Sequence, residues 1–185
     1  MKPSVKNKIL SRLKDILFWI ILLIPYILLG IGYYLHYQLV KDIPETIMVI
    51  VNKENLSLTV IDYKGYIMAT YPISVGMNFG NKAEKGDLKT PEGIFQVIAI
   101  DDSRNWSYDF ENDNQPSIKG AFGPYFIRLG TEFKGIGIHG TNNPAGISLR
   151  ATHGCIRLRN SDLVKLVKYV KVGTNVIITP SKSDL

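Results

Sequence analysis

Cysteine and histidine are scarce in this chain. Its 185 residues contain one cysteine and three histidines. A single thiol cannot form a disulfide within the chain, which excludes a fold held together by a disulfide framework. The lone thiol must therefore be buried, paired between chains or reactive. The polar, glycine-flanked surroundings of Cys155 argue against simple burial.

The sequence also lacks the spacings typical of metal sites. It has no Cys-x-x-Cys and no His-Glu-x-x-His, and it has no internal repeat or low-complexity tract. Two histidines and a cysteine are nevertheless the ligand count of some catalytic zinc sites. A zinc site at His139, His153 and Cys155 therefore stays an alternative, although His153 and Cys155 lie only two residues apart. We expect neither a metal nor another cofactor.

Excess positive charge is almost absent outside the first fifteen residues. The net charge is +6, and residues 1–15 hold five basic residues against one acidic residue. Little net charge is left for the rest of the chain, so a basic nucleic-acid-binding surface is not expected. The five basic residues of this leader are Lys2, Lys6, Lys8, Arg12 and Lys14.

A long uncharged segment follows the leader. Residues 16–35 carry no formal charge and are rich in Ile, Leu and aromatic residues. A helix of this length spans roughly 30 Å, the thickness of a bilayer's hydrocarbon core. We therefore expect a cytoplasmic leader over 1–15, a transmembrane anchor over 16–37 and a linker over 38–46, with the body outside the membrane. A cleaved signal peptide is the alternative, but Leu35–Leu39 offers no small-residue cleavage site.

The body, residues 47–180, reads mostly as strands and precedes a polar tail at 181–185. Alternation of apolar and polar residues, bounded by turn residues, marks each strand. Tight turns are expected at Lys53–Asn55 and at Asp62–Gly65. The predicted strands are Ile47–Val51, Leu56–Ile61, Tyr66–Val75, Glu92–Ile100, Tyr125–Leu129, Gly135–His139 and Asn175–Thr179.

One helix and one long loop interrupt the strands. Leu163, Leu166, Val167 and Val170 recur at helical spacing, after an expected capping residue within Asn160–Asp162 and before Gly173, which ends the helix. The stretch 101–123 is polar, aromatic and irregular, and loops of this length are often lids or binding loops.

The cysteine and two of the three histidines lie close together in the sequence. His139 ends a predicted strand and precedes Gly140, and His153, Gly154 and Cys155 form a second glycine-assisted turn. A thiol with an ordinary pKa needs a neighbouring cation or base to become a nucleophile, and imidazole is the usual base. Backbone N–H groups of the second turn could stabilise an oxyanion. The residues therefore favour acyl transfer through Cys155, with ordinary loop residues as the alternative.

Two motifs resemble those of the L,D-transpeptidases that cross-link bacterial peptidoglycan. The first is His139-Gly140-Thr141 followed by Thr152-His153-Gly154-Cys155-Ile156-Arg157-Leu158, and the second is Lys89-Thr90-Pro91-Glu92-Gly93-Ile94-Phe95. The resemblance covers roughly residues 47–180. It implies a mostly β, sandwich-like and largely antiparallel domain with one or two short helices, here preceded by one transmembrane helix.

The resemblance also assigns roles to individual residues. It makes Cys155 the nucleophile and His139 the general base, oriented by the carbonyl of Gly140. His153 would shape the pocket, and Gly154 and Cys155 would supply oxyanion N–H groups. Substrate-binding positions would be Arg157, Thr152 and Gly140; Arg157 would hold a carboxylate or form a structural ion pair. Thr152 stands where Ser is commoner in the family, and the segment from His139 to Thr152 is short.

The implied function is acyl transfer on peptidoglycan stem peptides outside the cytoplasmic membrane. Cys155 would take a stem tetrapeptide, release D-alanine and pass the acyl group to an amine, forming a 3→3 cross-link. Transfer to water would give an L,D-carboxypeptidase, and transfer to a D-amino acid would give an exchange enzyme. A non-catalytic wall-binding module is the alternative from another class. The sequence does not indicate an oligomeric state.

Overall fold

The computed structural model describes residues 5–41, 46–108 and 117–184. The chain divides into two compact units, Met1–Pro44 and Glu45–Leu185. The second unit holds all the strands and the short helices of the described residues. The strands are Met48–Asn52 (β1), Ser57–Ile61 (β2), Ile67–Pro72 (β3), Val75–Gly76 (β4), Gly93–Asp102 (β5), Ser107–Tyr108 (β6), Ile118–Lys119 (β7), Tyr125–Leu129 (β8), Gly137–His139 (β9), Arg150–Thr152 (β10), Ile156–Arg157 (β11) and Asn175–Thr179 (β12).

The first unit is one helix, α1, which runs from Val5 to Lys41. Its segment Arg12–Leu39 is long and apolar enough to cross a membrane, with a mean hydropathy of 2.4. Pro25 lies inside the helix without ending it, as is common in apolar helices of this kind. Residues 38–41, expected in a linker, are therefore helical; the rest of that expected linker, apart from Thr46, lies outside the described residues.

The second unit is built on one mixed sheet of eight strands. Their order is β11-β9-β8-β5-β12-β1-β2-β3. The β1–β12 and β9–β11 pairs are parallel, and the other five pairs are antiparallel. Two small sheets, β4 with β10 and β6 with β7, complete the unit. The predicted mostly β class is confirmed.

The long strand β5 makes the sheet curl. Its first part pairs with β12 as far as Gln96, and its second part pairs with β8 from Val97 onward. The register shifts between Val97 and Ala99, and a bulge of this kind bends a strand. One face of the curled sheet encloses the apolar core, to which β1, β2, β12 and β8 contribute, for example, Val49, Leu58, Val176 and Ile127.

Most predicted strands are present with shifted ends, and β8 and β12 begin and end at the predicted residues. The predicted strand Tyr66–Val75 is wrong as one element, because it is divided into β3 and β4. The chain leaves the edge of β2 after Pro72, where the N–H of Ile73 donates to the carbonyl of Leu56. Three residues on, β4 pairs with β10 instead.

The helix α2 covers Asn160–Leu166. Leu163 and Leu166 are buried as the helical spacing predicted. The expected end at Gly173 is wrong: the helix ends at Leu166, and Val170, which is also buried, lies beyond it. The expected cap is wrong: the N-cap position is Arg159, with no side-chain cap hydrogen bond. The side chain of Asn160 instead accepts a hydrogen bond from the N–H of Thr141, at 2.8 Å.

A buried ion cluster fixes the loop between β4 and β5. Lys53 lies in the predicted turn after β1, yet its side chain is fully buried. Its ammonium contacts Glu92 at 2.5 Å and Asp184 at 3.0 Å, and it donates to the carbonyl of Gly80 at 2.9 Å. Asp184 also accepts the N–H of Gly80. The turn after β1, the short helical turn Lys182–Asp184 and the loop 77–92 therefore meet at one charged centre.

Candidate active site

Two short parallel strands bring the predicted residues to one face. In the β9–β11 pair, Ile138 lies opposite Ile156 and His139 opposite Arg157. Both isoleucines are buried in the core. Because side chains alternate along a strand, His139, Arg157 and Cys155 must project from the opposite face. The sheet thus separates the apolar core from a polar face that holds a thiol, an imidazole and a guanidinium.

The imidazole of His139 is held by one hydrogen bond and two aromatic rings. Its Nδ1 lies 2.7 Å from the carbonyl oxygen of Gly140. A carbonyl only accepts, so Nδ1 carries the proton and Nε2 keeps a lone pair. The ring stacks on Phe126 with centroids 5.4 Å apart and an interplanar angle of 8°, and Phe122 meets its edge at 5.1 Å. The side chain is only 4% exposed.

This burial determines the charge of the ring. It lowers the pKa of His139 to about 4, although the Gly140 carbonyl favours the protonated form; the nearby charge of Arg157 lowers it further. His139 is therefore neutral near pH 7, with Nε2 free to accept a proton.

Asn160 positions the carbonyl that orients His139. Its Oδ1 lies between Gly123 and Gly140, where a Cβ on either glycine would collide with it. The same oxygen accepts the N–H of Thr141, and the N–H of Gly140 donates to the carbonyl of Phe122 at 2.7 Å. Sequence reasoning missed this residue, because an asparagine before a helical pattern is normally a cap.

The turn before the cysteine is closed by Thr152. Its hydroxyl donates to the carbonyl of Cys155 at 2.6 Å and accepts the N–H of Gly154 at 3.1 Å. Gly154 has a φ of +129°, a conformation that residues with a Cβ rarely adopt. The hydroxyl of Thr152 and the N–H of Gly154 are thus engaged within the turn. Of the two predicted oxyanion donors, the N–H of Cys155 is the one without this internal bond.

The thiol of Cys155 is half-buried and unpaired with any other sulfur. It donates a hydrogen bond to the carbonyl of Gly135 at 3.3 Å. Burial raises the pKa of the Cys155 thiol, against the N–H of Gly137 and the charges of Arg157 and Lys82, which favour the thiolate. The resting pair is therefore a neutral thiol and a neutral imidazole.

Arg157 is the charged residue of this face. Its Nε is buried without a hydrogen-bond partner. Burial lowers the pKa of Arg157, opposed by the negative charge that Cys155 and Tyr108 can carry. A buried N–H donor without a protein partner is rare in a folded protein, so this donor is available to a group that enters the cavity.

A cavity of about 340 Å³ joins these groups. Cys155, His139, His153, Arg157 and Thr152 all line it. Gly154 and Gly140, the other two predicted site residues, lie in the adjoining backbone turns. The structure therefore brings the seven predicted residues together, five of them at one cavity.

The predicted loop 101–123 supplies another wall. Within it, β6 and β7 pair antiparallel; residues 109–116 lie outside the described residues. Tyr108 and Phe122 line the cavity, and the hydroxyl of Tyr108 lies 3.0 Å from Nδ1 of His153. His153 is exposed, in contrast to His139. Over the described ranges, no three His, Cys, Asp or Glu side chains form a group that could hold a metal ion.

A thiol and an imidazole thus line one cavity of a mostly β domain, which is the arrangement that acyl transfer through a cysteine would need. Residues 46–178 match the YkuD family, described as the L,D-transpeptidase catalytic domain. The chain belongs to this family. The resemblance seen in the two sequence motifs is confirmed over nearly the whole body.

Similar proteins come from several bacteria. The chain is 36% identical to the L,D-transpeptidase YkuD of Bacillus licheniformis over 138 residues, 75% of this chain and 67% of that protein. It is 35% identical to the Bacillus subtilis YkuD over 136 residues, 74% and 66% of the two chains. An L,D-transpeptidase structure from Mycobacterium smegmatis has a TM-score of 0.54 and 18% identity, covering 72% of this chain and 58% of that one. The chain thus spans about two thirds of the length of these curated relatives.

Replacing Asn160 tests how the His139 carbonyl partner is held. In Asn160→Ala, the N–H of Thr141 loses its acceptor, and we expect a loss of about 1 kcal/mol in unfolding free energy. We also expect faster solvent exchange of the Nδ1 proton of His139, measured by NMR, because Gly140 is no longer fixed. Ser161→Ala, one residue away and exposed, is the matched control. Equal exchange rates in both variants would remove Asn160 from the positioning of His139.

Proposed function

We propose that the chain is a membrane-anchored cysteine L,D-transpeptidase that acts on peptidoglycan stem peptides outside the cytoplasmic membrane. One observation carries this proposal: His139, whose Nδ1 is held by the Gly140 carbonyl so that Nε2 keeps its lone pair, lines the same cavity as the chain's only thiol. Membership of the L,D-transpeptidase catalytic-domain family supports the substrate class.

The first half-reaction is acylation of Cys155. The sulfur attacks the carbonyl carbon that joins the L-centre of the third stem residue to the terminal D-alanine. The thiol proton moves to Nε2 of His139 as the S–C bond forms. The C–N bond then breaks, and the D-alanine amine leaves with that proton. Cys155 is left as a thioester, and His139 is neutral again.

The second half-reaction depends on the acceptor. A side-chain amine of a neighbouring stem attacks the thioester and gives its proton to His139, which returns it to the departing sulfur. The product is a 3→3 cross-link. Water as the acceptor gives L,D-carboxypeptidase activity, and a D-amino acid gives exchange. All three outcomes use the same residues. Cross-linking is the proposal, and hydrolysis is the second candidate.

Two groups are suited to the charges that develop. The N–H of Cys155 serves as an oxyanion donor, because Thr152 closes the turn through the Cys155 carbonyl and the Gly154 N–H and does not engage the Cys155 N–H. The guanidinium of Arg157 binds a carboxylate of the donor stem, since its Nε is buried without a partner beside the cavity. His153 and Tyr108 shape the outer wall.

Removal of the thiol tests the enzyme against a non-catalytic wall-binding module. In Cys155→Ala, we expect release of D-alanine from a disaccharide-tetrapeptide to fall by about 10⁴-fold or more. Mass spectrometry of the muropeptides measures tripeptides, exchange products and 3→3 dimers in one experiment, and thus also separates the three acceptors. Ser161→Ala is the control. Turnover near the wild-type rate in Cys155→Ala would overturn the proposal.

The pH dependence tests His139 as the base. A pKa of about 4 keeps His139 neutral, so the acylation rate should be nearly flat from about pH 5 to pH 7 and fall below that range. In His139→Ala, acylation should slow strongly while binding of the stem peptide changes little. A wild-type rate that climbs about tenfold per pH unit across the same range would instead mean that a pre-ionised thiolate attacks.

The N-terminal helix supports the membrane location. Five basic residues precede the apolar segment, and such residues normally stay in the cytoplasm. We therefore expect protease added to intact spheroplasts to digest the body, followed through an epitope placed after Leu185. In inside-out vesicles the body should be protected. Protection in spheroplasts would reverse the orientation, and release of a shortened chain into the medium would indicate a cleaved signal peptide.

A further inference from the structure

The loop 77–92 packs directly behind the nucleophile's turn. A Cβ placed on Gly154 would lie 2.8 Å from the carbonyl oxygen of Lys89 and 3.7 Å from the Nζ of Lys82. The backbone of this loop, the Ile136 side chain (3.2 Å from the same Cβ) and one ammonium group therefore lie close to the residue before Cys155. Neither Lys82 nor Lys89 lines the cavity, so a substrate in the cavity would meet the other side of the turn.

Lys82 is an unusual residue for this place, because its charge is almost fully buried. Its side chain is 5% exposed, and its Nζ pairs with Asp87 at 2.6 Å, a carboxylate that is 8% exposed. The ammonium also lies 5.3 Å from the ring centroid of Phe133. A buried ion pair contributes little net stability compared with apolar residues of the same volume. Stability alone therefore gives no reason for a charge at this position.

Asp87 explains how the ammonium is held in place. Its carboxylate accepts the N–H groups of Ala83 at 2.7 Å, Glu84 at 3.2 Å and Lys89 at 3.0 Å. Burial opposes ionisation, but these bonds and Lys82 hold the pKa of Asp87 well below its usual range. The carboxylate is thus the fixed centre of the loop. It directs the Lys82 ammonium towards Gly154, and it also directs the Lys89 carbonyl towards Gly154.

The positive charge of Lys82 acts on the sulfur of Cys155. A positive charge behind the turn stabilises a thiolate on the other side, and the low dielectric of the interior strengthens this effect. Lys82 and Arg157 are the cations whose charges favour the thiolate of Cys155. Arg157 faces the cavity, where a substrate carboxylate would neutralise it. Lys82 lies behind the turn and keeps its effect when substrate is bound.

We propose that Lys82, fixed by Asp87, is a positioning residue for Cys155: it supports the turn at Gly154 and places a permanent positive charge behind the sulfur. This inference rests on the proposed role of Cys155 as nucleophile. Lys82 touches neither substrate nor the reacting atoms, and acts only through the turn and its charge.

The alkylation kinetics of the full-length protein test the proposal without peptidoglycan. Cys155 is the only cysteine, so the rate of modification by iodoacetamide as a function of pH reports the pKa of this one thiol. In Lys82→Met, loss of the charge should slow alkylation at pH 7 about three- to tenfold and move the profile to higher pH. Lys82→Arg should stay close to the wild type, because the charge is kept.

Replacing Asp87, the partner of Lys82, should change the alkylation rate in the opposite direction. In Asp87→Asn, the negative charge that offsets Lys82 is removed, so alkylation at pH 7 should be faster than in the wild type. Damage to the loop would slow alkylation in Lys82→Met and Asp87→Asn alike, and that result would overturn the proposal. Lys165→Met, in which an exposed lysine is replaced, is the matched control and should leave the profile unchanged.

Two further results separate this inference from the function itself. An unchanged profile in a folded Lys82→Met protein, checked by its thermal unfolding, would overturn the role of Lys82. If Lys82→Met does not fold, Asp87→Asn alone decides by the direction of its shift. Turnover that survives Cys155→Ala would instead overturn the proposed function, while leaving the measured effect of Lys82 on the thiol intact.

Discussion

The parallel pairing of β9 with β11 is the constraint on which the site depends. Each strand contributes only two or three residues, yet their register places His139 beside Arg157 and sends Ile138 and Ile156 to the core. The pair is reinforced by the bond from the N–H of Leu158 to the carbonyl of His139 at 2.9 Å. A shift by one residue would exchange the two faces and bury the polar groups. The register that packs the core therefore also assembles the site.

Burial has opposite consequences for the two central groups. It lowers the pKa of His139 and raises that of Cys155, so both are uncharged at rest. A neutral pair avoids the cost of burying two ions before substrate arrives. In the proposed reaction the proton then moves as the sulfur attacks, which makes the orientation of the imidazole more important than the ionisation of the thiol. The stacked Phe126 and the Gly140 carbonyl supply that orientation.

Sequence patterns predicted those parts of the fold that repeat locally. Strands β8 and β12 alternate clearly, and the buried face of α2 follows a helical period, so their positions could be predicted. The family motifs identified Cys155 and His139. What escaped prediction depends on distant partners: Asn160 resembles a helix cap, and Lys53 stands in a turn that would normally be solvated. Only the folded chain brings Gly123 and Gly140 close to Asn160, and Glu92 and Asp184 close to Lys53.

The charged side chains of the loop 77–92 are needed because the strands around Cys155 are short. The strands β4, β10 and β11 have so few residues that their ladders alone cannot fix the turn at Gly154. Bonds between side chains and backbone fix it instead, since Thr90 accepts the N–H of Gly76 at 2.8 Å and Thr152 closes the cysteine turn. These bonds need a rigid loop behind them, and the ion pairs of Lys53 and Lys82 provide it. A buried ion pair specifies geometry because any displacement leaves a charge uncompensated, and the turn before the proposed nucleophile is where such geometry is needed.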